Sequence, residues 1–175
     1  MERHAIRPDS FHLPIFHAWD DRWFLLTAGT LAPGGFNTMT VSWGAFGVMW
    51  NRPFALVVVR PTRHTFGFVE QSPDFTLSLF PVEHQEKLEL CGTVSGRDSD
   101  KVAATGLTPV PSTVVASPCF AEAELVLECR KTYWQDLDPA HFLDPRIHGL
   151  YQGDFHRVFF GDVVAVEGTQ AWERH

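Results

Sequence analysis

The chain has 175 residues, 45% of them hydrophobic, with 14 basic against 21 acidic side chains and a formal net charge of −7. That length and apolar content suit one folded domain with a sizeable core and exclude a disordered chain. The few, scattered basic residues exclude a nucleic-acid footprint, and no apolar stretch is long enough to span a membrane. Residues 1–21 mix His, Pro and aromatic side chains and are too polar for a secretory signal; they read as an arm lying across the body, its own or a partner's. The remaining residues, 22–175, read as a single domain. Residues 23–31 (WFLLTAGTL) form a predicted strand, APGG at 32–35 a turn, and 36–45 (FNTMTVSWGA) a second strand rich in β-formers. The short apolar run 54–59 (FALVVV), bounded by Pro53 and Pro61, predicts a strand buried on both faces.

Residues 65–72 have room for two turns of helix, capped by Thr62 or Thr65. In the strand 75–80, Thr76 and Ser78 take one side and Phe75, Leu77 and Leu79 the other. Short helices follow at 83–91 and 98–105, the second capped by Asp98 or Ser99 and stopped by Gly106. Pro109, Pro111 and Pro118 mark an irregular crossing. Residues 121–133 then alternate, with Ala123, Leu125, Leu127 and Cys129 opposite Glu122, Glu124, Glu128 and Arg130, the pattern of a half-solvated strand. A polar loop or short helix at 136–144 precedes a last strand at 157–167, where Gly161 predicts a bulge. Many strands, a few short helices, no repeat and no run of βα units give a mainly β fold, and a barrel solves the edge problem for so many apolar strands. Cys91, Cys119 and Cys129 are odd in number and widely spaced, as buried thiols of a reducing, cytoplasmic compartment would be.

Three segments carry polar chemistry. In 37–44, Thr38, Thr40 and Ser42 share a strand face beside Asn37 and Trp43, either lining a polar ligand cleft or lying on an exposed strand. In 60–65, Arg60, Thr62, Arg63 and Thr65 stand between a strand end and a helix start, which makes either an anion site or a solvated turn. In 91–101, Ser95, Gly96 and Arg97 form a turn before a helix carrying Lys101, which is either phosphate-binding or a plain capped helix start. His141, Asp144, His148, Asp154 and His156 lie close in sequence, but their spacing matches no compact metal motif, and no metal is expected. There is no glycine-rich dinucleotide fingerprint and no P-loop.

The stretches NTMTVSWG (37–44), NRP (51–53), VRPTRHT (59–65), FTLSLF (75–80), CGTVSGRDSDK (91–101) and DFHRVFFGDV (154–163) together resemble the flavin-reductase-like family of FMN-binding split barrels, closest to its flavoredoxin-like branch. The resemblance implies a Greek-key split β-barrel working as a homodimer, with non-covalent FMN near the interface. It implies Asn37, Thr38, Thr40, Ser42 and Trp43 around the ring and ribityl chain, Arg60, Thr62, Arg63 and Thr65 near the phosphate, and Lys101 beside the cofactor. It places His156 near the flavin face as the candidate catalytic residue. The activity implied is hydride transfer from NADH or NADPH onto FMN, with electrons passed to a second flavin, a protein or a small acceptor. A non-enzymatic FMN carrier or sensor is the alternative. Two departures stand out: Asp162 occupies a position where the family commonly has Glu, and the N-terminal arm matches nothing in the pattern. Trp19, Trp23, Trp50, Trp134 and Trp172 are expected to be core or interface anchors.

Overall fold

A computed structural model describes residues 2–174. In chain order the elements are β1 (His4–Ala5), α1 (Ile15–His17), β2 (Phe24–Gly29), β3 (Phe36–Val41), β4 (Gly44–Met49), β5 (Arg52–Val59), α2 (His64–Gln71) and β6 (Asp74–Leu79). Then follow α3 (Gln85–Thr93), α4 (Lys101–Thr105), β7 (Pro109–Val110), β8 (Cys119–Phe120), β9 (Leu125–Asp136), α5 (Pro145–His148) and β10 (Arg157–Gly168). One antiparallel sheet runs in the order β3-β2-β6-β9-β10-β5-β4, with β1 paired to the far end of β10. Its two terminal strands, β3 and β4, are consecutive in sequence and joined by Ser42 and Trp43. The sheet therefore curls until its ends meet through a covalent link instead of a hydrogen-bonded ladder, which makes it a split β-barrel.

Period-two alternation sorts the side chains into two cores. Phe24, Leu26, Met39, Val57, Phe75, Leu127 and Phe159 fill the barrel. Leu25, Leu88, Cys91, Leu107, Phe120 and Val126 form a second layer between the sheet and α3. The long strands β9 and β10 bend at bulges between Phe160 and Gly161 and between Val163 and Ala165. Gly161 is needed there: a Cβ on it would lie 2.7 Å from the Phe75 ring and 2.9 Å from the Cys129 Cβ.

Several expectations need correction. The single strand expected at 36–45 is two, because the chain turns from one end of the sheet to the other at Ser42 and Trp43. β4, with β5, makes a hairpin whose tip, Trp50 and Asn51, has φ of 53° and 59°, the backbone twist a tight hairpin requires. β5 buries only one face, with Ala55, Val57 and Val59 inside. The strand buried on both faces is β6, because residues 111–118 cross over it and Thr76 donates to the Pro118 carbonyl at 2.7 Å. β9 is not half-solvated along its first half: the same crossing segment covers Glu128, whose carboxylate accepts from Thr113 N and Oγ1, Val114 N and Val115 N at 2.7–2.9 Å. The cap of α4 is Asp100, which accepts from the N–H groups of Val102 and Ala103. Neither Thr62 nor Thr65 caps α2; Arg63 holds that position without a side-chain cap.

The arm packs on its own body. β1 pairs with β10, and Ile6, Ala18 and Trp19 enter the barrel core. Trp172 is also buried, whereas Trp50 stands half-exposed against Tyr133 and Phe160, and Trp134, also half-exposed, stacks under the Arg157 guanidinium. All three cysteines are free and buried. Among the described residues, no helix is long and apolar enough to cross a membrane.

Candidate flavin-nucleotide site

Where the ladder is interrupted between β3 and β4, a cleft opens. Its main cavity, about 430 Å³, is lined by Met39, Val41, Trp43 and Val58 on the apolar side and by Ser42, Arg60, Thr62, Arg63, Asp154 and His156 on the polar side. Met39, Thr62 and Arg63 also line a neighbouring cavity of about 230 Å³, completed by Thr65, residues 93–98 and Lys101. The two form one trough with a flat apolar end and a cationic end. Arg63 gives a hydrogen bond to the Gly92 carbonyl at 2.7 Å, and Arg97 gives one to the Thr62 carbonyl at 3.1 Å. Among the described residues neither has a carboxylate partner, and both lie at the start of α2, where a helix leaves N–H groups for an anion.

The expected site residues divide. Ser42, Trp43, Thr62, Arg63 and His156 come together on the trough. Trp43 is 48% exposed and its ring lies 5.3 Å from that of His156. Thr38 does not reach the trough: it is buried, and its hydroxyl pairs with Thr27 Oγ1 at 3.0 Å and the Leu26 carbonyl at 3.2 Å. Thr40 touches the rim, but its hydroxyl is tied to the Leu88 carbonyl of α3. The shared hydroxyl face thus faces α3, while Met39 and Val41 on the opposite face meet the cavity. Asn37 donates to Thr65 Oγ1 at 3.0 Å and lines a third cavity of about 600 Å³ beyond the cationic end, away from the apolar wall. Thr65 lines the cationic end while its hydroxyl is engaged by Asn37 and by the Thr38 carbonyl.

Arg60 lines the main cavity but is committed elsewhere. It pairs with Asp154 at 2.8 Å, donates to the Leu150 carbonyl at 2.8 Å and stacks 5.0 Å over the Tyr151 ring. Its work is to pin residues 137–155, which form one wall of the site. Lys101 is buried beneath the cationic end, with Nζ donating to the carbonyls of Thr38 at 3.0 Å and Cys91 at 2.9 Å. Burial lowers its pKa from the ordinary lysine value, and nearby Arg63 adds to that. His156 is 7% exposed. Burial, Arg60 and Arg63 together push its imidazole down to about 4, against the opposing pull of Asp154. It is neutral at pH 7, a hydrogen-bonding group and not a standing acid.

Met39, Val58 and Tyr151 line or support the site without a sequence signal that marks them. Met39 and Val58 needed the knowledge of which strand face the cleft takes. Tyr151 donates or accepts at 2.8 Å to His156 Nδ1, a contact made by a loop whose fold no periodicity announces. The alternative metal cluster does not assemble: Asp144 holds Arg146, Asp154 holds Arg60, and His148 packs edge-on to Phe142. Among the described residues, no three metal-ligating side chains converge.

The trough suits a flavin nucleotide. Its cations, hydroxyls and helix start fit a phosphate, its Met39–Val41–Trp43–Val58 wall fits a planar apolar ring, and the unladdered backbone at Ser42 and Trp43 fits the ring's polar edge. Fold and site together define a flavin-binding split barrel. The family model of the flavin reductase like domain matches residues 22–173, and the chain belongs to that family, one of flavin-binding oxidoreductases. Among solved structures, the flavoredoxin of Desulfovibrio vulgaris (Miyazaki F) superposes with a TM-score of 0.67 at 21% identity, covering 88% of this chain and 73% of its own. An FMN-binding domain of flavin-reductase-like enzyme from Shewanella baltica OS155 gives a TM-score of 0.70 at 17% identity, covering 99% and 83%. The FMN-binding protein of Thermus thermophilus, with bound 1-cyclohex-2-enone, gives 0.64 at 22% identity, covering 89% and 75%. An uncharacterised protein of Archaeoglobus fulgidus is 25% identical over 141 residues, 81% of this chain and 73% of its own length.

Proposed function

We propose that the trough holds FMN non-covalently and that the protein is a flavin-reductase-like oxidoreductase, fed by NADH or NADPH and delivering electrons to a second flavin, a protein or a small acceptor. The observation that carries this reading is the single trough with an apolar wall at one end and two arginines free of carboxylates at the other. Bound flavin supplies the hydride and electron chemistry. The chain's residues bind and orient. Arg63, Arg97 and the start of α2 hold the phosphate, with Thr62 and Ser95 beside them. Met39, Val41 and Val58 exclude water from one face of the ring, and Trp43 flanks it. His156 presents a neutral N–H or lone pair where a reacting partner would stack.

The exposed hairpin residues Val48, Met49 and Trp50, with Tyr133 packed beside Trp50, form the proposed homodimer contact. Three free, buried thiols suit the cytoplasm. The test is an anaerobic spectrum of FMN-loaded, desalted protein after addition of NADH or NADPH. Bleaching of retained flavin bands supports the reductase. Retained bands that neither nucleotide bleaches would replace it with a carrier or sensor.

A further inference from the structure

Tyr151 lies outside every motif that carries the family resemblance, yet the fold fixes it with care. Its ring sits under the Arg60 guanidinium, 5.0 Å away, and against Phe155 at 4.8 Å and Phe142 at 6.0 Å. The loop on either side is held by Arg60 on the Leu150 carbonyl and on Asp154, and by Asp154 accepting from Gln152 N at 3.0 Å. So placed, the phenol oxygen is 2.8 Å from His156 Nδ1, and the two rings meet edge-on at 5.4 Å. His156 lines the main cavity beside Trp43, and among the described residues its Nε2 has no hydrogen-bond partner.

We propose that Tyr151 is a positioning residue: its hydroxyl donates to His156 Nδ1, holds the imidazole in the tautomer protonated on Nε2, and so makes the cavity present a neutral N–H donor. The proton count favours this direction. The phenol has one proton, and Nδ1 is its one acceptor among the described residues. Were Nδ1 the protonated nitrogen, it would donate to the phenol oxygen and leave that proton without a protein acceptor, a cost in a half-buried site. Burial raises the Tyr151 pKa, so the phenol keeps its proton, and the imidazole carries one proton near neutral pH. A fixed Nε2–H selects a ligand that offers a carbonyl, nitro or ring-nitrogen acceptor at that point and disfavours one that offers N–H. That selectivity rests on the trough being the flavin site; the tautomer does not.

The experiment is long-range ¹H–¹⁵N NMR of histidine-labelled, flavin-free protein, wild type and Tyr151→Phe. The wild type should show His156 protonated on Nε2 with Nδ1 as an acceptor. In Tyr151→Phe the Nδ1–H form should gain about two- to tenfold in relative population, the bias one net hydrogen bond supplies. A wild-type imidazole protonated on Nδ1, or a Tyr151→Phe imidazole with the wild-type tautomer ratio, would overturn the proposal. The wild-type spectrum decides the first point even where the variant folds poorly. Because no flavin is present, a failure of the flavin reading leaves this result intact.

Discussion

His156 links the residue scale to the behaviour of the whole chain. Its imidazole sits at about 4 in the folded protein, and an unfolded histidine titrates near 6.5. Between those values the unfolded chain binds more protons than the folded one, so stability falls as pH drops from about 6.5 to about 4 and is untouched above. The contribution is about 3 kcal/mol at the acid end. Urea midpoints of wild type and His156→Gln should therefore differ in slope across that window, the variant losing less; parallel curves would mean that the histidine is more solvated than its position indicates. Arg60 and Arg63, both on the trough, divide in the same way. Arg60→Ala should loosen residues 137–155, read as faster proteolysis there, while weakening FMN less than Arg63→Ala does. Both arginines are phosphate candidates in the sequence, and only long-range contacts, above all Asp154 94 residues away, separate the wall-pinning Arg60 from Arg63, which has no carboxylate partner among the described residues. Ser42, Trp43, Thr62, Arg63 and His156 are the motif residues that the fold brings together on the cleft. Thr38 lies behind the cleft, a placement the sequence does not announce because a threonine ladder on a strand looks the same whether it faces a ligand or the helix layer behind it.

At the scale of elements, the crossing segment 111–118 governs how β6 and β9 are buried. Glu128 accepts four hydrogen bonds from it at 2.7–2.9 Å, and Asp74 accepts from Ala116 N and Ser117 N. Glu128→Ala should cost about 3 kcal/mol or more, since it strands several buried N–H groups, and should expose backbone amides of 113–117 to hydrogen exchange. Unchanged protection would show that the segment is held by its apolar contacts instead. Gly161→Ala should also destabilise, by about 1–3 kcal/mol, because the new methyl meets the fully buried Phe75 ring and a Cys129 Cβ that cannot retreat. The strands themselves were legible from alternation and β-branched content, in β6, β9 and β10 above all. What alternation could not show is cover: Glu128 and Thr76 look solvent-facing in the pattern, and they become interior because the proline-bearing stretch 111–118 lies over them. The break at Ser42 and Trp43 was equally hidden, since a strand that changes partners keeps its β-forming residues through the change.

The whole molecule presents its β4–β5 hairpin as an apolar face, with Val48 75% exposed. If that face is the dimer contact, Val48→Lys should halve the mass seen by light scattering while leaving the fold intact, because Val48 is largely solvent-exposed within its own chain; a monomeric wild type would remove the proposal. The cleft and the 137–155 wall meet at the Trp43 end of β4, with the hairpin tip at its far end, so the site depends on the sheet closing through Ser42 and Trp43. The central claim is that this cleft holds FMN by its cationic end and its apolar wall. An equilibrium titration of wild type and Arg63→Ala with FMN, followed by flavin fluorescence, tests it most directly. The account predicts one FMN per chain for the wild type and a loss of about 1.5–3 kcal/mol, roughly ten- to a hundredfold in Kd, for the variant. No saturable binding by the wild type, or equal affinity in the two proteins, would contradict it.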